Sequence, residues 1–117
     1  MFVAALLGRF SKVVGIEGIS NLLERGEKRM NRWNQLKEGF PIHSKSTRVE
    51  WISDNFLFND FWVKDADFIF LHWTAFNVPQ REAMMKHLNG CGEGTVVISF
   101  TNPIPGDDFE VLIKDAW

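Results

Sequence analysis

Four short apolar runs, spaced along the chain and separated by stretches of helical periodicity, constrain the fold more than any other feature. They are Lys12-Val13-Val14-Gly15-Ile16-Glu17, Arg48-Val49-Glu50-Trp51-Ile52, Asp67-Phe68-Ile69-Phe70-Leu71-His72 and Thr95 to Phe100. Each has the length of a strand. The first and third are continuous in hydrophobicity instead of alternating, which is the pattern of strands covered on both faces. Ile19, Leu22, Leu23, Met30, Trp33 and Leu36 fall near helical spacing and predict an amphipathic helix over residues 18–38. Glu24 and Lys28 support it as an i,i+4 pair. Asn77-Val78-Pro79-Gln80 starts another helix. Asn77 is its cap, Gln80 completes a capping box, and Pro79 is tolerated in the first turn. Met84, Met85 and Leu88 supply its apolar face, and Asn89-Gly90 ends it. Strands that alternate with helices imply an α/β fold with a mostly parallel sheet.

The remaining segments fill in this frame. Met1 to Leu7 is apolar and helical in character, with no capping residue before it. It is too short, and lacks the basic flank, for a secretory leader. A helix that opens uncapped is expected to begin further upstream. Gly39, Pro41 and the polar stretch to Thr47 read as a loop. Asn102 to Asp108 reads as a Pro/Gly turn region, and Phe109 to Ile113 as the start of a fifth strand. With 117 residues and no linker, the expectation is one domain over residues 1–117.

Composition removes several function classes. The formal net charge of −2 gives no global attraction to nucleic acid or an anionic membrane. The single cysteine, Cys91, excludes an intrachain disulfide and a cysteine-based zinc cluster. No run approaches the roughly 20 apolar residues that span a bilayer. His43, His72 and His87 have no metal-ligand spacing, so no metal site is expected. Asp65/Asp67 and Asp107/Asp108 read as solvated turn acids. The glycines from Gly90 to Gly94 follow a helix and precede a strand, the reverse of a phosphate loop.

In parallel sheets, ligands bind beyond the carboxyl ends of strands. Glu17 ends the first run. Its carboxylate can accept hydrogen bonds from the two vicinal hydroxyls of a ribose, or it is an ordinary solvated acid at a strand end. The second run ends in Ser53-Asp54-Asn55-Phe56. A polar side chain there can bond an adenine amino group, and Phe56 can cover the ring. The alternative is an Asx turn with Phe56 in the core. The third run ends in His72-Trp73-Thr74-Ala75-Phe76, which is either the wall of a cleft or a core tryptophan beside a satisfied histidine.

The series Val14-Gly15-Ile16-Glu17, Val49-Glu50-Trp51-Ile52, Asp54-Asn55-Phe56-Leu57, Ala66 to Leu71 and Thr74-Ala75-Phe76 resembles class I S-adenosylmethionine-dependent methyltransferases. It is most similar to the disruptor-of-telomeric-silencing family, the histone-lysine methyltransferases without a SET domain. Glu93 to Ser99 followed by Pro103-Ile104-Pro105 also looks like that family. The resemblance implies a Rossmann-like methyltransferase sheet and S-adenosylmethionine as cofactor. Glu17, Asp54, Asn55 and Phe56 would bind the ribose and adenine. His72, Trp73 and Phe76 would line the channel to a lysine of a histone or other protein substrate. Nuclear placement follows from the resemblance alone; otherwise nuclear and cytoplasmic locations stand open.

Three departures accompany the likeness. The family's first strand and glycine-rich loop are missing, because Met1 falls inside the helix that follows them. His72 stands where the family carries Asn. The chain stops before the family's last strand. The first strand is central in that sheet, so its loss leaves a gap between the strand of Glu17 and that of Asp67. The expectation is therefore a partial methyltransferase domain with impaired S-adenosylmethionine binding: either a fragment of a longer gene product, or a chain in which neighbouring elements close up around the gap or a partner supplies the missing strand. The alternatives are a non-catalytic, methyltransferase-like interaction module or remnant of the same ancestry, and an unrelated small α/β domain.

Overall fold

A computed structural model describes residues 1–113. The chain is mixed α/β and divides into two compact units, Met1–Phe56 and the residues from Leu57 onward. Each contains one two-stranded parallel sheet.

The first unit runs α1 (Phe2–Leu6), β1 (Lys12–Glu17), α2 (Ser20–Leu36), a 3-10 turn (Lys37–Gly39), α3 (Ile42–Lys45) and β2 (Arg48–Ser53). Parallel strands need a crossover between them, and α2 is its main element. The pair is in register from Lys12↔Arg48 to Glu17↔Ser53. Along α2, Leu23, Gly26, Met30 and Trp33 form the least exposed stripe, at the alternating three- and four-residue steps of a helix face. Trp33 is buried and stacks obliquely between Phe2 and Phe40, with ring centroids 5.4 and 5.1 Å away. Two hydroxyls fasten the chain entering β2. Ser44 Oγ donates to the Leu6 carbonyl and Thr47 Oγ1 to the Phe10 carbonyl, both at 2.8 Å. Both side chains are buried, so these bonds satisfy groups that are costly to leave unpaired.

The second unit contains β3 (Phe68–Leu71), α4 (Val78–Leu88) and β4 (Val96–Ser99). Its strands pair in parallel from Phe68↔Val96 to Leu71↔Ser99. The capping box forms as the residue types require. Gln80 N–H donates to Asn77 Oδ1 at 3.0 Å, and Asn77 N–H donates to Gln80 Oε1 at 2.9 Å. The core comprises Val63, Ile69, Leu71, Trp73, Met84 and Leu88. Phe68, Phe70, Val96 and Ile98, on alternate positions of the two strands, are all at least 40% exposed. One face of this sheet is therefore covered and the other is not, although the apolar run of β3 predicts cover on both.

Two further expectations are corrected. The four strands do not make one sheet; among the described residues β1 pairs only with β2, and β3 only with β4. An apolar run specifies that a strand is buried, not which strand lies beside it. Residues 109–113 form no strand, and Val111, Leu112 and Ile113 are exposed. Apolar composition alone does not bring a segment into pairing with a strand. In the opposite direction, the segment read as a loop before β2 contains α3.

Candidate functional site

In the first unit, the carboxyl ends of β1 and β2 bring together the turns Glu17-Gly18 and Asp54-Asn55. The ladder continues past the strands, with Asp54 N–H donating to the Glu17 carbonyl at 3.2 Å. Gly18 lies so close to the second turn that a Cβ there would sit 3.3 Å from the Asp54 carbonyl oxygen. Glu17 Oε1 accepts from the N–H groups of Gly18 and Ile19, at 3.0 and 2.9 Å. Ile19 is the residue that caps α2, and it offers no side-chain cap of its own. The Glu17 carboxylate thus satisfies donors at the positive end of a 17-residue helix. Its Oε2 takes no bond from a described residue and remains an acceptor at the strand end. Asp54 Oδ1 accepts from Asn55 N–H at 2.7 Å, which fixes the second turn. Asn55 is exposed and Phe56 half-buried. The chemistry on offer is acceptor-rich and carries negative charge, suited to hydroxyl and amino donors.

In the second unit, the carboxyl ends of β3 and β4 meet the amino end of α4 around an open cavity of about 640 Å³. Val78, Met85, Pro103 and Pro105 give it an apolar lining, and Arg81, Glu82 and Lys86 bring charge. Trp73 forms part of the wall but is 1% exposed, and its Nε1–H donates to the Asn102 carbonyl at 3.1 Å. It stands in the core, which was one of the two readings open for it. His72 is exposed, with Nε2 3.3 Å from Thr74 Oγ1 and its ring edge-on to Phe100. Thr74 Oγ1 is in turn 2.7 Å from Thr101 Oγ1. Phe76 is half-buried, and its N–H closes a turn onto the Trp73 carbonyl at 3.0 Å.

Thr101 was not singled out by the sequence. Its φ of 74° is the one positive value at a non-glycine residue among the described residues. A β-branched side chain is strained there, by about 1–3 kcal/mol. Nothing in a lone Thr after a strand signals this. Arg81 and Met85 were read only as parts of a helix, because a cavity wall assembled from three segments has no local signature.

Cys91, in the loop after α4, is half-buried and burial pushes its thiol up, away from the reactive thiolate. Among the described residues, no three His, Cys, Asp or Glu side chains group as metal ligands, and no helix is long and apolar enough to cross a membrane. Both strand-end sites are suited to binding and positioning. Comparison with protein-family models, with curated proteins and with solved structures finds no match to this chain.

Proposed function

We propose that the chain is an S-adenosylmethionine-dependent methyltransferase-type domain of the histone-lysine, chromatin-associated kind, with weak cofactor binding on its own. The observation that carries this reading is the turn pair in the first unit. A carboxylate ends β1, an Asp-Asn turn ends β2, and Gly18 lets the two approach closely. Glu17 would hold the cofactor ribose; Asp54, Asn55 and Phe56 would meet its adenine. The pairing supports the same reading. Each unit holds a parallel strand pair joined through helix, the β-α-β element from which Rossmann-like sheets are built. In the second unit, His72, Trp73 and Phe76 would flank the path of the acceptor lysine. A methyl transfer of this kind needs the amine deprotonated and in line with the sulfonium, which is mainly a matter of positioning.

A second reading, a non-catalytic module of the same architecture, is favoured by one observation. The strand-to-helix turns of the described residues contain no Gly-x-Gly cradle for the methionine end of the cofactor. The contacts of such a cradle include charge-assisted hydrogen bonds worth about 1.5–3 kcal/mol each. Without two of them, binding is weaker by roughly a hundredfold to ten-thousandfold. Calorimetric titration separates the outcomes. The expected result is that adenosine and S-adenosylmethionine bind with similar, weak affinity and that Glu17→Ala abolishes both. No binding of adenosine overturns the cofactor site. Tight S-adenosylmethionine binding lost in Glu17→Ala overturns the claim of impairment and restores a complete cofactor binder.

A further inference from the structure

At the amino end of β2 lies a second, partly open cavity, of about 280 Å³, within the first unit. Arg48 is the first residue of β2 and Ser53, beside Glu17, is its last. At about 3.3 Å per residue the cavity is therefore some 17 Å along the strand from the carboxylate turn. Three cationic residues are among those lining it, from three separate elements: Lys37 from the 3-10 turn, Lys45 from α3 and Arg48 from β2. No carboxylate lines it. Trp33 and Val49 supply apolar wall, and Asn34 adds an amide.

The charges are only partly compensated. Lys37 has no ion pair among the described residues. Lys45 Nζ stands 3.6 Å from Glu38 Oε2, a loose pair on an exposed carboxylate. Arg48 Nη2 meets Glu50 Oε1 at 2.5 Å, but Glu50 is shared with Lys12 at 2.8 Å. One such contact leaves the guanidinium most of its five donors. The hydroxyls of Ser44, Ser46 and Thr47 donate instead to the carbonyls of Leu6, His43 and Phe10. They fasten the wall, and the donors left to a ligand are the cations and the amide.

We infer that this cavity is a binding site for a small phosphate monoester, held by Lys37, Lys45 and Arg48. Three cationic residues around one cavity favour a compact anion with several acceptor oxygens, and an arginine fork matches phosphate geometry. The volume is at the lower bound of small-molecule pockets, roughly 300–1,000 Å³. At about 30 Å³ per water it equals some nine waters, enough for a phosphate and a small organic group. Trp33 and Val49 offer that group an apolar surface. This inference is independent of the methyltransferase reading.

The full chain, isotope-labelled, is titrated with inorganic phosphate and with glycerol phosphate, against chloride at matched ionic strength. The expected result is saturable amide shifts at residues 44–48 and at the Trp33 indole, with chloride silent. Tighter binding of glycerol phosphate than of inorganic phosphate supports the monoester site; equal or weaker binding overturns the monoester assignment in favour of free phosphate. Lys37→Gln and Lys45→Gln should each weaken phosphate by about three- to tenfold, since a charge-assisted contact is lost at a partly solvated position. Shifts that fail to saturate, that chloride reproduces, or that map elsewhere overturn the proposal in the unmodified chain, whatever the variants do. Binding unchanged in both variants also overturns it.

Discussion

Gly26 of α2 lies directly against the indole of Trp51 in β2, so close that a methyl group at Gly26 would overlap the ring. Gly15, the register partner of Trp51 on β1, is almost as close on its own side, where a Cβ would stand 2.7 Å from the ring. The two glycines form a slot for one large aromatic side chain. The slot sets how near the helix comes to the sheet, and the buried Trp51 Nε1–H finds no acceptor among the described residues.

Alanine normally stabilises a helix interior by about 1 kcal/mol relative to glycine. At Gly26 the sign should reverse. Forcing a methyl group into filled space costs about 1–3 kcal/mol, so Gly26→Ala should destabilise the first unit by about 1–2 kcal/mol. Gly39, which has nothing within 4 Å of a Cβ, is the control. Gly39→Ala should be neutral or slightly stabilising. Urea midpoints of the two variants decide it, and Gly26→Ala combined with Trp51→Phe should recover part of the loss.

This slot also marks where sequence reading stops. The run Lys12 to Glu17 declares β1, and the spacing of Leu23, Met30 and Trp33 declares the inner face of α2. Gly26 on that face reads only as a weak position in a helix. Its reason is Trp51, twenty-five residues away. The same limit applies to the sheets. β1, β2, β3 and β4 are each legible from local hydrophobicity, as are Asn77 and Gln80 at the start of α4. Which strand pairs with which is a non-local choice that no run encodes. Residues 109–113 have the composition of a strand and pair with none among the described residues. The candidate sites divide in the same way. Glu17, Asp54 and His72 are found by looking at strand ends. Lys37, Lys45 and Arg48 come to line one cavity only because α3 forms inside what reads as a loop.

The strain at Thr101 predicts opposite effects from two substitutions of similar size. Asn adopts positive φ more readily than a β-branched residue and keeps a hydrogen-bonding group near Thr74. Thr101→Asn should therefore stabilise the second unit by about 0.5–1 kcal/mol, a part of the strain relieved. Val retains the branching and loses the hydroxyl. Thr101→Val should destabilise by about 1 kcal/mol, the loss of one hydrogen bond. Thermal or urea unfolding of both variants tests the sign; a stabilising Val would remove the Thr74 contact from the account.

Acid sensitivity should trace in part to Glu50. A hydrogen bond from Lys12, with the nearby positive charge of Arg48, holds its carboxyl below the usual carboxylate range. A carboxylate with a depressed value in the folded state stabilises above its unfolded pKa. That contribution declines as pH falls below the unfolded value and is gone once the folded value is passed. Stability measured from neutrality down through the acid range should show this slope in the natural chain. Glu50→Gln should flatten it while leaving a lower plateau near neutrality. An unchanged acid slope in that variant would assign the sensitivity to other groups.

Trp73 separates a core role from a wall role. The side chain is 1% exposed and its indole N–H is bonded to the Asn102 carbonyl. Truncation to alanine should cost about 3–5 kcal/mol, the range for a large aromatic in a packed core. Trp73→Phe is more informative. It keeps an aromatic surface toward the cavity but loses the hydrogen bond and part of the ring volume. The Asn102 carbonyl would still accept from Ser99 Oγ at 3.1 Å, so no buried acceptor is orphaned. The expected cost is about 1–3 kcal/mol, set by the void and one lost bond. A residue that merely lines a channel would tolerate phenylalanine with stability unchanged. Urea unfolding of Trp73→Phe therefore decides between the roles: a clear loss places Trp73 in the core that shapes the cavity, and no loss returns it to the lining of the acceptor path.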